Sequence, residues 1–222
     1  MIDLIFCNGG NPRLMDMAIE EGWLPGARSD MWAGVPLSFV DVDYKHPDWQ
    51  KHLARVEKER PKYATVPDLS EKEVSGADIA RALAQVEKIA PYCDVPLIVP
   101  KLSGQLDHIP DSIAIGYSVP SRYGGASYFI QELEGRRVHL LGGSPKKQQE
   151  VACYLEGIAE VISADGNYAT KMAQRYMEFW NGKRWQHWPA YGDDEFYACC
   201  RASLRAIRAM WQDDLTPWLF LL

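Results

Sequence analysis

Residues 138–169 read VHLLGGSPKKQQEVACYLEGIAEVISADGNYA, and this stretch decides the fold. Its first apolar run, Val138 to Leu141, closes on two glycines, and Pro145 then opens the helix-like segment PKKQQEVACYLEGI. Its second apolar run, residues 159–163, closes on Asp165-Gly166-Asn167, and another helical pattern follows. Strands that are apolar throughout, rather than alternating, indicate parallel strands that helices cover on both faces. The stretch therefore predicts parallel strands joined by helices.

The same order of strand, loop and helix recurs toward the N-terminus. Seven apolar runs are closed by polar residues, and they begin at Ile2, Leu37, Tyr63, Val95, Ile113, Val138 and Ala159. Between Lys101 and Ile113 the connection is too short for a full helix, so we expect a loop or a single turn there. Seven such units favour an α/β fold, a compact (β/α)8-like TIM barrel. An open flavodoxin-like sheet is the alternative.

The character of the sequence changes near Met177. From there the chain is rich in aromatic residues and arginine, and helical patterns cover residues 168–180 and 194–211. No flexible linker separates this part, so we expect it to pack on the barrel. The predicted organisation is a catalytic barrel domain, residues 1–176, followed by a helical C-terminal extension, residues 177–222.

Composition and charge exclude several classes of protein. Hydrophobic residues make up 47% and charged residues 24%, which is typical of a folded, soluble chain. The net charge of -6 argues against a protein that coats nucleic acid, although a local basic groove is compatible with it. The opening MIDLIFCNGG is too short and too poor in basic residues for a signal peptide, and no stretch approaches the roughly 20 apolar residues of a membrane helix. Five cysteines without a CxxC pair indicate reduced thiols and a cytoplasmic protein.

Polar residues gather at the carboxyl ends of the predicted strands, which is where active sites of TIM barrels lie. The set comprises Asn8, Asp41, Asp43, Asp68, Lys101, Tyr117, Ser118, Gly142, Gly143, Ser144, Asp165 and Asn167. Any single acid could instead cap the following helix, since Asp and Asn are good N-caps. Several carboxylates in one mouth are costly unless they bind or react with something, so the set as a whole predicts a functional site.

Two glycine-rich loops are candidate ligand-binding segments. Gly142-Gly143 lets the backbone approach a ligand, and Ser144 would cap a helix whose free N–H groups attract anions; an ordinary tight turn is the alternative. The loop GYSVPSRYGGASYF, residues 116–129, carries Arg122 and Tyr123, which could stack on a base or bind phosphate. No HExxH, GxSxG, P-loop or GxGxxG motif occurs, so we expect neither a metal nor a cofactor.

A basic stripe lies in the C-terminal extension. Arg201, Arg205 and Arg208 recur at helical spacing, which is typical either of a solvated helix face or of a track for phosphates. Together with Arg184 they are the candidate nucleic-acid-binding residues. The tryptophan-rich C-terminus is also compatible with a homodimer.

Residues 138–169 resemble the late-barrel segment of the tRNA-guanine transglycosylases. That family has a strand ending HLLG, a Gly/Pro turn, a helix, and then a strand whose acid is the nucleophile, and the resemblance places Asp165 at that position. The loop Asn8-Gly9-Gly10 is similar to the family's Asp-Ser-Gly-Gly loop, Asp68 to its base-recognising acid, and Ile115-Gly116-Tyr117 to its glycine-bearing strand end.

The sequence differs from that family in three respects. The family's Cys/His zinc site has no counterpart here, Asn8 stands where the first loop carries an acid, and the chain is much shorter. These features are closer to the divergent branch, carried in part by bacteriophages, that inserts 7-deazaguanines into DNA.

The chemistry that the resemblance implies is base exchange in DNA or tRNA. A carboxylate attacks the sugar C1′, guanine leaves, and the covalent glycosyl-enzyme accepts a 7-deazapurine. In this scheme Asp165 is the nucleophile, Asp68 and Asp43 recognise the base or transfer protons, and Gly142-Gly143 lie against the incoming base.

Two other functions stay open. In a phosphosugar- or nucleotide-processing enzyme, Gly142-Gly143-Ser144 would hold phosphate and Lys101 would assist the chemistry. A non-catalytic nucleic-acid-binding adaptor would instead use the arginines of the extension with Trp185 and Trp188 as its contact surface.

Overall fold

A computed structural model describes residues 2–121 and 125–212, and its centre is a closed barrel of eight parallel strands. The strands are β1 (Asp3–Cys7), β2 (Leu24–Arg28), β3 (Phe39–Asp41), β4 (Tyr63–Thr65), β5 (Val95–Ile98), β6 (Ala114–Ser118), β7 (Arg137–Leu141) and β8 (Glu160–Gly166). Each strand pairs with the next along the chain, and β8 closes the barrel on β1. The predicted (β/α)8-like TIM barrel is therefore confirmed.

Helices cover the barrel, with bounds that reflect their capping residues. They are α1 (Pro12–Glu20), α2 (Trp49–Glu59), α3 (Gly76–Ile89), α4 (Pro145–Leu155), α5 (Tyr168–Tyr176) and α6 (Asp193–Gln212). Asn11, Asp48, Ser75 and Ser144 each accept a backbone N–H as N-caps. A loop or single turn was expected between Lys101 and Ile113, and the structure has a 3-10 helix there, Leu106–His108. Another 3-10 helix, Ile130–Leu133, lies between β6 and β7. These short connections keep the barrel compact.

The strand β2, LPGAR, was not predicted from the sequence. Pro25 and Gly26 are poor strand formers, so local preference opposes this assignment. The reason for Gly26 is space inside the barrel: a Cβ there would lie 2.7 Å from Cγ2 of Ile5 and 2.9 Å from Sγ of Cys7. Only a hydrogen atom fits at this position.

A β-bulge sets which residues of β8 face the barrel interior. Val138 pairs with Val161, whereas His139 pairs with Ser163, so β8 has one extra residue at this point. The strand was predicted to end at Ser163 but continues to Gly166, so Asp165 lies within the strand rather than after it. Alternation beyond the bulge then directs both Ser163 and Asp165 to the interior.

The described part of the extension, residues 177–212, packs on one side of the barrel. A helix through residues 168–180 was expected, but α5 ends at Tyr176 because Met177 adopts a left-handed conformation with φ 50°. The chain then forms an antiparallel hairpin of β9 (Glu178–Trp180) and β10 (Trp185–His187). The indole N–H of Trp23 donates to the carbonyl of Leu204, which ties α6 to the barrel. Within the described ranges, no helix is long and apolar enough to cross a membrane.

Candidate functional site at the barrel mouth

Asp165 is held in one orientation near the end of β8. It is 9% exposed, and its Oδ1 accepts the N–H of Gly142 at 2.9 Å. Gly142 has φ 63°, a conformation that glycine adopts without strain, and this turn aims its N–H at the carboxylate. The side chain of Gln148 joins both turns, since its Nε2 donates to the carbonyls of Gly142 at 2.7 Å and Asp165 at 2.6 Å. The candidate nucleophile is thus fixed by backbone and by α4.

Asp41 forms a second carboxylate at the same mouth. It ends β3 and accepts a hydrogen bond of 2.7 Å from Oγ of Thr65. Burial, and then the negative charge of Asp165, raise the pKa of Asp41 to about 7, and the charge of Asp68 contributes to the rise. A carboxyl group with a pKa near neutrality can both give and take a proton at physiological pH.

Cys7, the last residue of β1, completes this group. Burial, followed by the charge of Asp165, holds the pKa of the Cys7 thiol well above its ordinary value. The negative charge of Asp165 favours the protonated form of this thiol. A thiol that stays protonated is a poor nucleophile, so Asp165 and Asp41 are the better candidates for reactive groups.

A separate ion pair lies beside the two carboxylates. Nζ of Lys101 is 2.7 Å from Oδ2 of Asp68, and the Lys101 side chain is 7% exposed while that of Asp68 is 29% exposed. Burial raises the pKa of Asp68, and Lys101 opposes that rise. The carbonyl of the Gln105 side chain accepts the backbone N–H of Lys101 at 2.7 Å and orders the loop. Asp68 therefore has a fixed cation on one side and an accessible edge on the other.

Asp43 has a different environment from Asp41. It pairs with Arg28, whose Nη1 lies 3.2 Å from Oδ1, and it accepts the backbone N–H of Lys45 at 3.1 Å. Arg28 also pairs with Asp30 at 2.8 Å. Asp43 is thus paired with the cation of Arg28, whereas Asp41 has the charge of Asp165 acting on it.

The remaining predicted site residues have mixed positions. Nδ2 of Asn8 is buried and has no acceptor among the described residues. Ser118 ends β6 half-buried, Ser144 caps α4, and Asn167 precedes α5 without a side-chain capping bond. Arg122, by contrast, lies outside the described residues.

Packing explains the other glycines and Tyr117. A Cβ on Gly9, Gly116 or Gly143 would lie 2.6 Å from Met31, 2.8 Å from Val99 or 2.7 Å from Val119, respectively. Tyr117 is buried edge-on against Tyr128 within the main hydrophobic core. For these positions the structure gives a packing role.

Three of the arginines predicted to bind nucleic acid lie against the end of α1. Arg201 contacts Glu20 at 2.7 Å and Glu21 at 3.0 Å, and Arg205 contacts Glu21 at 2.6 Å. Arg208 donates to the backbone carbonyl of Glu21 at 2.9 Å. These contacts anchor α6. Arg184 lies apart from them, exposed in the turn between β9 and β10.

Sequence reasoning missed His139, Thr65 and Cys7. His139 is fully buried, with Nδ1 2.7 Å from Oγ of Ser163 and Nε2 3.5 Å from Oδ1 of Asp165. Its spacing to other histidines forms no motif, but a histidine inside the apolar run VHLLGG was a signal. Cys7 could have been found by alternation from the interior residue Ile5.

The structure was searched for metal sites, and the sequence was compared with known proteins. Across residues 2–121 and 125–212, no group of three or more His, Cys, Asp or Glu side chains is arranged to hold a metal ion. No curated protein matches the sequence. A model of a family of unknown function, DUF6610, matches residues 18–212, a range that includes Asp41, Asp68 and Asp165. The chain therefore belongs to the family of unknown function DUF6610.

Proposed function

We propose that the protein is a base-exchange transglycosylase that replaces guanine in nucleic acid, most readily DNA, with a 7-deazaguanine derivative. The observation that carries the proposal is the pair of coupled carboxylates at the barrel mouth. Asp165 is oriented by Gly142, and Asp41 has a pKa of about 7 through burial and the charge of Asp165. A nucleophilic carboxylate beside a carboxylic acid is the arrangement that retaining glycosyl transfer requires.

In the first step Asp165 attacks C1′ of the target nucleotide. Its Oδ1 is bound by the Gly142 N–H, so the free oxygen, Oδ2, forms the new bond. The C1′–N9 bond breaks and its electron pair goes to guanine, which takes a proton from Asp41. The products of this half-reaction are free guanine and a glycosyl ester on Asp165.

The second step reverses these roles with a different base. The carboxylate of Asp41 removes the N9 proton of the incoming 7-deazaguanine, N9 attacks C1′, and Asp165 leaves as a carboxylate. Asp41 then holds the proton that begins the next cycle. A pKa near 7 suits a group that must act first as an acid and then as a base.

Recognition of the base is assigned to Asp68, Lys101 and Asn8. The accessible edge of Asp68 can accept the N1–H and exocyclic amine of guanine, while Lys101 and the unpartnered amide of Asn8 donate to oxygen or nitrogen acceptors. A base in a duplex must leave the stack to reach them. All three residues lie in loops that follow strands, on the same side of the barrel as Asp165.

Exposed aromatic side chains beside the site support a nucleic-acid substrate. Trp32 and Tyr44 are 62% and 63% exposed. The Trp32 carbonyl accepts the N–H of Gly10 at 2.7 Å, and Tyr44 directly follows Asp43, so both belong to loops at the mouth. Aromatic side chains in such positions stack on unpaired bases.

Mass spectrometry of nucleosides tests this function. DNA and tRNA are each incubated with the protein and a panel of 7-deazaguanines, then digested and analysed. We expect a 7-deazaguanine nucleoside from DNA with the wild type, and none with Asp165→Asn or Asp41→Asn. Asp43→Asn is the matched control, because Asp43 pairs with Arg28 and should leave exchange within a few-fold of wild type. Exchange by Asp165→Asn at the wild-type rate would refute the proposal.

A further inference from the structure

A chain of polar side chains runs along the interior of this barrel. Nδ1 of His139 is 2.7 Å from Oγ of Ser163, and the ring of Tyr63 lies beside the imidazole with centroids 6.1 Å apart. The Tyr63 O–H in turn is 2.8 Å from Oδ2 of Asp3, which also contacts Nζ of Lys62 at 2.6 Å. Interiors of TIM barrels are mostly filled by branched apolar side chains, so such a chain calls for an explanation.

These polar side chains line the interior from the barrel mouth to the opposite end of the barrel. His139 and Ser163 are 0% exposed and Tyr63 is 3% exposed, whereas Lys62 is exposed to solvent. At the mouth, Nε2 of His139 lies 3.5 Å from Oδ1 of Asp165 and forms no hydrogen bond with the described residues. Buried polar groups of this kind are stabilising only when each has a partner.

The neighbours of His139 determine its tautomer. An unprotonated Nε2 would turn its lone pair toward the Asp165 carboxylate, and the two would repel, so Nε2 carries the proton. Neutral imidazole has one donor and one acceptor nitrogen, and Nδ1 must then accept a hydrogen bond. In this tautomer the donor to Nδ1 is the Ser163 hydroxyl, whose Oγ lies 2.7 Å away.

The bulge in β8 is the local cause of this arrangement. It pairs His139 with Ser163 rather than with Ile162, so a hydroxyl instead of a methyl group meets Nδ1. The ring of Phe39 packs against His139 with centroids 5.0 Å apart and confines the imidazole. The ionisable groups that face His139 are thus Asp165 and Tyr63, with Cys7 and Asp41 beyond Asp165.

We propose that His139 is a positioning residue for Asp165, held as its Nε2–H tautomer by the hydroxyl of Ser163. The Gly142 N–H binds Oδ1 of Asp165, and a proton on Nε2 of His139, 3.5 Å from the same oxygen, attracts it electrostatically and leaves Oδ2 toward C1′. The catalytic consequence rests on the proposed function of Asp165, whereas the tautomer is a property of the free protein.

Nitrogen NMR of the histidine rings tests the tautomer without any activity. Protein labelled with ¹⁵N-histidine is examined by long-range ¹H–¹⁵N correlation at pH 7.5, and His139→Gln identifies the His139 signals. We expect the Nε2–H pattern in the wild type. Ser163→Ala removes the hydroxyl donor and should therefore move the Nδ1 signal toward that of a nitrogen that accepts no hydrogen bond. Tyr117→Phe, a buried tyrosine that packs on Tyr128, should leave it unmoved.

An Nδ1–H tautomer or an imidazolium in the wild type would overturn the inference. So would an unchanged Nδ1 signal in Ser163→Ala. If Ser163→Ala does not fold, Ser163→Cys gives the comparison, because a thiol is a weaker donor than a hydroxyl, and an unchanged Nδ1 signal in Ser163→Cys then refutes the role of Ser163.

The base-exchange assay adds the catalytic readout. Ser163→Ala should lower kcat about tenfold with little change in KM, and Ser163→Thr should restore it. The expected NMR pattern in a protein without exchange activity would refute the proposed function and leave the tautomer assignment standing. Exchange activity with the wrong tautomer, or an unchanged kcat in Ser163→Ala, would refute the positioning role alone.

Discussion

The hydroxyl of Thr65 donates a 2.7 Å hydrogen bond to the carboxylate of Asp41 from the neighbouring strand. The same hydroxyl accepts the N–H of Val42 at 3.0 Å, and the Thr65 carbonyl is 2.8 Å from Nε2 of His52. Thr65 is completely buried, so it has a single orientation. One threonine thus joins the candidate acid to the core beneath it.

Replacing Thr65 should change the ionisation of Asp41. The Thr65 hydrogen bond lowers the pKa of Asp41, so Thr65→Val should raise that pKa above its value of about 7. We expect the alkaline limb of the kcat/KM profile for base exchange to move to higher pH, and Thr65→Ser to return it. A profile of Thr65→Val identical to that of the wild type would contradict this role.

The pH dependence of stability contains two opposing contributions. The pKa of Asp41 is raised from 3.8 to about 7. Asp41 therefore makes its full contribution to the free energy of unfolding below pH 3.8, and this contribution is lost as pH rises through 7. Burial lowers the pKa of His52 from 6.5 to about 4, so its contribution is complete above 6.5 and is lost as pH falls through 4. Between these limits the two partly cancel.

Asp41→Asn should remove one of the two contributions. The free energy of unfolding of the variant, minus that of the wild type, should increase as pH rises from 4.5 to 7.5, because the wild type alone must ionise a buried acid. Urea unfolding of both proteins at several pH values measures this difference. The exposed carboxylates are the same in both proteins, so their effects on stability subtract out. A difference that stays constant with pH would show that Asp41 has an ordinary pKa.

Glu21 should be important for stability because it holds the extension on the barrel. It is 8% exposed and pairs with Arg201 and Arg205. Glu21→Gln should lower the free energy of unfolding by about 1–3 kcal/mol. The exposed Arg184 gives the control: Arg184→Ala should change stability by less than about 0.5 kcal/mol. If both variants unfold like the wild type, the arginines have no anchoring role, and salt-sensitive DNA binding should then depend on them.

Gly26 should tolerate no side chain. The Cβ of Gly26→Ala would lie 2.7 Å from Ile5 and 2.9 Å from Cys7, so we expect a loss of about 1–3 kcal/mol in thermal or urea unfolding. Gly76, the first residue of α3, has no atom within 4 Å of an added Cβ and serves as the matched control. Equal stability of the two alanine variants would contradict the close packing inside the barrel.

Most of the barrel was predictable because continuous apolar strands and capped helices are local patterns. The strand β2 was not, since Pro25 and Gly26 oppose a strand, and only the close approach of Ile5 and Cys7 explains the glycine. Asp165 could be proposed from its place at a strand end. The role of His139 depends on a bulge in the neighbouring strand, which no pattern in its own strand encodes.

The arginine stripe illustrates the same limit. Arg201 and Arg205 look like a phosphate track in isolation, but their partners, Glu20 and Glu21, lie 180 or more residues earlier in the chain. Helical spacing identifies a face of a helix and not what covers it. The assignment of Asp43 rather than Asp41 as a proton-transfer group has a similar origin, because the pairing of Asp43 with Arg28 is a contact between strands.

Detection of the covalent intermediate tests the central claim most directly. A guanine-containing oligodeoxynucleotide is mixed with the protein without an incoming base, the mixture is denatured, and the intact mass and the modified peptide are measured. We predict an adduct equal to protein plus oligonucleotide minus guanine, located on Asp165, present in Asp43→Asn and absent in Asp165→Asn. An adduct that persists in Asp165→Asn, or base exchange by the wild type with the adduct on another residue, would contradict the account.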